Sequence, residues 1–166
     1  MNQTIRNSEV VVLLTLTAMT ESLFANYIPL APYLDLPLIF TLFVGWYSSP
    51  VRGAACGIGF GWLQDVISGI YLGLNGFSKT LGGFTASHLS KWVAMEGLLA
   101  RCFLVGILSL GNDLLVVGIR ALLEQTIQQE IWLQILFKMP ITGVAGGIFF
   151  FVYGRVKFPE KNFSQP

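Results

Sequence analysis

The sequence predicts an all-α integral membrane protein, a single six-span helical bundle, and three observations carry that expectation. Of its 166 residues, 54% are hydrophobic and only 11% charged, whereas a soluble domain usually carries about 25% charged residues. The apolar residues fall into six runs bounded by charge, proline or polar clusters, and roughly 20 such residues cross a hydrocarbon core of about 30 Å. Within one run Gly53, Gly57, Gly61, Asp65 and Gly69 recur at every fourth position, which sets them along one stripe of a helix. Such a stripe lets a neighbouring span approach closely and gives a costly carboxylate a protein partner. Six spans use up the chain, so one domain is expected.

The first run, 8–28, follows a polar stretch without a small-residue cleavage pattern and is read as a retained span. The second, 33–49, is the shortest, with Pro37 acceptable in its first turn. The third, 53–72, carries the glycine stripe. The fourth, 74–93, holds Lys79 and His88 and is the least hydrophobic; for the second and fourth, a full crossing and a re-entrant or tilted course both stay open. The fifth, 98–118, and sixth, 133–153, are long and apolar. Between them, 120–132 repeats Leu123, Ile127 and Ile131 at helical spacing among Glu and Gln. That pattern reads either as an amphipathic helix on the outer surface, with Trp132 at headgroup level, or as a solvated helical connector.

Cytoplasmic loops collect Lys and Arg. With both termini in the cytoplasm, Arg6, Arg52, Lys91, Arg101, Arg155, Lys157 and Lys161 fall at cytoplasmic ends, leaving Lys79, Arg120 and Lys138 near the outer face. A net charge of +1 without a basic cluster beyond the C-terminal group argues against a nucleic-acid surface. Cys56 and Cys102 lie inside apolar runs and are assigned to packing.

In this topology spans one, three and five carry Glu21, Asp65 and Asp113 in their outer halves, and Lys79 and Lys138 enter on the same side as counterions. An intramembrane carboxylate needs such a partner or water. These five residues form the expected polar network, with Gln64, Asn75 and Asn112 able to extend it. For Asp65 a second reading stays open, in which it braces the turn at Ser68 and Gly69. Gly82, Ala86 and Ser90, and Gly143 and Gly147, repeat the small-residue spacing, so spans three, four and six are expected to form the tight centre. A lone His88 without nearby Cys or clustered carboxylates does not make a metal site. The sequence holds no nucleophile elbow, zinc-binding His pair or phosphate-cradling lysine loop; no catalytic residue, cofactor or metal is expected, and the chain is not read as an enzyme.

The run from Gly61 to Gly73, GWLQDVISGIYLG, resembles the signature of the MreD family of bacterial rod-shape-determining membrane proteins. There a glycine-containing span reaches an aspartate, a short apolar pair and Ser-Gly, then Leu-Gly after a two-residue gap. Pro32 before a short span, the turn from Ser49 to Gly53, and Asp113-Leu114-Leu115 agree with it, and the resemblance covers roughly 32–93. The last span departs from the family pattern: Lys138-Met139-Pro140 and the glycine-rich run after it lack the expected asparagine and later proline.

The resemblance implies a non-enzymatic subunit of the cell-elongation (rod) complex in the bacterial inner membrane. It would bind MreC and couple through it to MreB, RodA and the elongation-specific penicillin-binding protein in peptidoglycan synthesis and cell shape. It also implies a fold similar to the substrate-binding subunits of energy-coupling-factor vitamin transporters, which supplies the competing function. Under the scaffold reading Gly53, Gly57, Gly61, Asp65, Gly69 and Gly73 pack helices or dock a partner. Under the transporter reading Glu21, Asp65 and Asp113 with Trp46 or Trp62 line an outward pocket.

Overall fold

The computed structural model describes residues 8, 10–15, 17, 33–68, 72–93, 97–123 and 130–157. Among these residues the regular structure is helical throughout, without a strand. α1 is helical at positions 8, 10–15 and 17, and is followed by α2 (Leu36–Tyr47), α3 (Pro50–Ser68), α4 (Leu74–Leu89), α5 (Gly97–Leu122) and α6 (Glu130–Lys157). Two of these are long and apolar enough to cross a membrane, over Gly97–Leu122 and Ile131–Val156.

The second helix is shorter than the run that predicts it, because Asp35 stops it. The Asp35 carboxylate accepts the Leu38 N–H at 3.0 Å as an N-cap, and Pro37 occupies the first turn. Twelve residues rise about 18 Å, well under a bilayer core of about 30 Å. Every residue from Pro37 to Trp46 is buried, as expected of a helix apolar all round. α2 touches α3, α4, α5 and α6 and is the hub of the bundle.

Its C-terminal half is aromatic. The Phe43 ring packs on Tyr47, Phe149, Phe150 and Tyr153 with centroids 4.8 to 5.2 Å away. Such ring pairs add about 0.5–1.5 kcal/mol each beyond their buried area.

α3 and α4 run antiparallel along the glycine stripe. A methyl at Gly53 would lie 2.5 Å from the Gly83 carbonyl oxygen, one at Gly57 would strike the Lys79 carbonyl, and one at Gly61 would lie 2.5 Å from the Asn75 carbonyl oxygen. Gly45 of α2 also faces the Gly83 carbonyl, so three helices meet on three glycines. A second seam joins α5 to α6, where Gly143 lies against the Cys102 carbonyl and Gly106, and Gly147 against Cys102. The expected tight centre of spans three, four and six is therefore corrected: α3 and α6 do not touch, and Gly82 faces Leu38 and Leu42 of α2 instead of α3. Small residues at fourfold spacing tell that a helix has a close neighbour, not which one.

α4 ends at Leu89, four residues short of the run that predicts it, and α3 is described as far as Ser68, with 69–71 outside the described residues. α6 continues unbroken through Pro140. Arg120 to Leu122 continue α5 and Glu130 to Trp132 begin α6; the rest of the expected outer amphipathic helix, 124–129, lies outside the described residues.

Large apolar side chains cover the exterior: Ile58, Trp62 and Val66 on α3, Phe77 and Leu81 on α4, Phe103 and Ile107 on α5, Val144, Ile148 and Val152 on α6. Four charged side chains, Asp35, Asp65, Lys79 and Asp113, are buried inside. A water-soluble fold has the opposite arrangement.

Candidate functional site

The polar interior lies where the N-termini of α2 and α4 meet the C-terminal half of α5 and the N-terminal half of α6. Asp35, immediately before α2, turns one carboxylate oxygen to the helix it caps and the other to two ammonium groups. Its Oδ2 lies 3.1 Å from Lys79 Nζ of α4 and 3.0 Å from Lys138 Nζ of α6. Lys138 Nζ also lies 2.7 Å from Asp113 Oδ1 of α5. Two carboxylates thus meet two ammonium groups, and the charge balances.

Neutral groups close the circuit. Asn112 Nδ2 donates to Asp113 Oδ1 at 3.3 Å, and Ser78 Oγ donates to Asn112 Oδ1 at 2.7 Å. Because Ser78 precedes Lys79, the path runs from α4 through α2, α6 and α5 and returns to α4. Thr142 adds a strut: its Oγ1 donates to the Tyr33 carbonyl at 3.1 Å and accepts the Asp35 N–H at 3.3 Å. Lys79 is 0% and Asp35 2% exposed, while Lys138 keeps 18%. Charges this deep persist only when paired and hydrogen-bonded. Asp113 Oδ2 and, one turn before it, Ser109 Oγ are buried without a hydrogen-bond partner.

Lys79, Asp113 and Lys138 are thus brought together. Glu21 lies outside the described residues. Asp65 does not join them; it turns back across the α3–α4 connection. Its Oδ2 accepts the N–H groups of Gly73 and Gly76 at 2.8 and 3.2 Å, and its Oδ1 accepts the N–H and side-chain amide of Asn75 at 3.2 and 2.8 Å. A carboxylate bonded to the free N–H groups at a helix start satisfies them and complements the helix dipole. The bracing reading of Asp65 fits this geometry, with the braced residues at 73–76 and not at Ser68 and Gly69; Gly69 lies outside the described residues.

Gly53, Gly57 and Gly61 lie in the α3–α4 seam, but Gly73 stands apart as a turn residue. Its φ of 97° is one that glycine adopts without strain, and a methyl there would touch nothing. The aromatic walls of the transporter reading do not converge on the acids. Trp62 is 55% exposed on the outer face of α3, and Trp46 is buried near the end of α2 remote from Asp35.

Sequence reasoning missed Asp35, which it placed inside an apolar run. The signal was present: Asp-Leu-Pro at the start of an apolar stretch reads as an N-cap with proline in the first turn, and a carboxylate fixed at a helix start is available to a buried lysine. His88 Nδ1 lies 3.1 Å from the Phe84 carbonyl of its own helix. Among the described residues no three His, Cys, Asp or Glu side chains gather as metal ligands.

Comparison with protein-family models, with curated proteins and with solved structures finds no match for this chain.

Proposed function

We propose that the chain is a multi-pass, non-catalytic subunit of the bacterial cell-elongation complex, of the MreD type. In this reading it lies in the inner membrane as a six-span bundle with both termini cytoplasmic. It binds MreC, and through MreC it helps organise MreB, RodA and the elongation-specific penicillin-binding protein. The observation that carries the reading is the Gly61 to Gly73 run with its aspartate and paired turn residues. Two physical features support it. Large apolar side chains are exposed on α3 to α6 while four charged side chains are buried, which suits lipid. The charged side chains of the interior are committed to one another and to helix starts, which suits a rigid docking frame better than turnover.

Affinity purification of the tagged chain from native membranes, with identification of the co-purifying proteins, tests the proposal. MreC is expected in stoichiometric yield. Recovery of an ATPase and a transmembrane coupling subunit in its place would overturn the proposal in favour of vitamin uptake.

A further inference from the structure

The end of the bundle opposite the charge circuit is basic. Arg52 at the start of α3, Lys91 after α4, Arg101 in the first turns of α5 and Arg155 in the last turn of α6 gather there. Arg52, Lys91 and Arg155 are exposed, as is Trp92, the residue type that anchors at a headgroup layer.

Within this end two guanidinium groups converge on one ring. Arg101 Cζ lies 5.5 Å and Arg155 Cζ 5.2 Å from the centroid of Phe151. Arg101 comes from α5 and is half-buried, and its Nη1 donates to the Phe150 carbonyl at 2.8 Å. Its Nε is buried without an acceptor. Gly154 makes room for the approach, since a methyl there would lie 2.6 Å from the Tyr47 hydroxyl and 3.5 Å from Arg101 Nη1. Each contact sets a guanidinium over the electron-rich face of the ring. A phosphate diester accepts charge-assisted hydrogen bonds from a guanidinium in a matching planar geometry.

We propose that Arg101 and Arg155, held on the Phe151 ring, bind the phosphate of an anionic glycerophospholipid at the basic end of the bundle. The site depends on the bundle lying in a bilayer and not on the cell-elongation reading. Half-burial of Arg101 fixes one guanidinium at the edge of the protein, while exposed Arg155 closes on the headgroup from the lipid side. The exposed Arg52 and Lys91 of that end stand outside the site.

The test is native mass spectrometry of the full chain released from bilayers of equimolar phosphatidylglycerol and phosphatidylcholine. The wild type is expected to retain phosphatidylglycerol over phosphatidylcholine by on the order of fivefold. The double change Arg101→Gln with Arg155→Gln abolishes that preference, and Arg52→Gln with Lys91→Gln, equal in charge lost at the same end, leaves it. Arg155→Gln alone, at an exposed position that the fold tolerates, halves it or more. Equal retention of the two lipids, parallel loss in the Arg52 and Lys91 pair, or an unchanged preference in Arg155→Gln would overturn the site. Complete displacement of the lipid by millimolar inorganic phosphate would overturn the assignment to lipid. A chain that fails to enter the bilayers at all would remove the premise and the site with it.

Discussion

The Lys79 ammonium lies 3.1 Å from Asp35 Oδ2, and neither residue exposes more than 2% of its side chain. The pair ties the first turns of α4 to the start of α2, the hub of the bundle. Removing one partner of such a pair leaves a buried charge uncompensated and typically costs about 3–5 kcal/mol. Asp35→Ala removes the N-cap of α2 and a partner of both Lys79 and Lys138, so it should be the most damaging single change in the interior. Lys79→Met should cost less, because Asp35 keeps Lys138. Thermal unfolding of the two variants in detergent checks the order, and equal midpoints would contradict it.

Lys138 serves two carboxylates, Asp35 at 3.0 Å and Asp113 at 2.7 Å. Lys138→Met therefore leaves Asp113 without its cation, and Asp113→Asn on that background removes the stranded charge. The double variant is expected to be more stable than Lys138→Met alone, with a coupling of about 1–3 kcal/mol in a double-mutant cycle. Additive losses would show that the two side chains do not share the interior as described.

Much of this arrangement was legible in the sequence, and its failures have physical causes. Helical class, internal charges and a close-packed glycine face follow from hydropathy and fourfold spacing, both local properties of one helix. Lys79, Lys138 and Asp113 were found because a charge in an apolar run needs a partner. Asp35 was missed because hydropathy drew the run through it, when its side chain in fact ends the helix. The pairing of seams was unreadable, since Gly143 and Gly57 carry the same signal for different neighbours. Asp65 looked like a network member because its depth was inferred from span counting, whereas its carboxylate is taken up by the N–H groups at the start of α4.

Asp65 gives the third prediction. It accepts three backbone N–H groups and one side-chain amide from residues 73–76, so its loss should loosen the α3–α4 turn while the α3–α4 seam persists. Asp65→Asn is expected to insert normally and to raise amide hydrogen exchange at Gly73, Asn75 and Gly76 more than at Gly83. If the docking-frame proposal holds, the same strain recovers less MreC and grows as misshapen cells. Unchanged exchange at 73–76 would refute the bracing role. Normal rods and normal MreC recovery would count against the docking role.

The glycine seam gives the last. At Gly57 an added methyl meets backbone of the opposing helix, the Lys79 carbonyl and Thr80 Cα. Backbone yields only if the two helices part. At Gly111 of α5 the same methyl meets nothing, and alanine replaces glycine in a helix at no steric cost there. Gly57→Ala is therefore expected to destabilise by about 1–3 kcal/mol through overpacking, and Gly57→Leu to prevent assembly of α3 on α4. Gly111→Ala should be neutral or stabilising. Paired unfolding measurements in one detergent make the contrast, and because both positions are helix-interior glycines, a difference in intrinsic helix propensity cannot produce it. A Gly57→Ala variant as stable as Gly111→Ala would mean that α3 and α4 do not touch along this stripe.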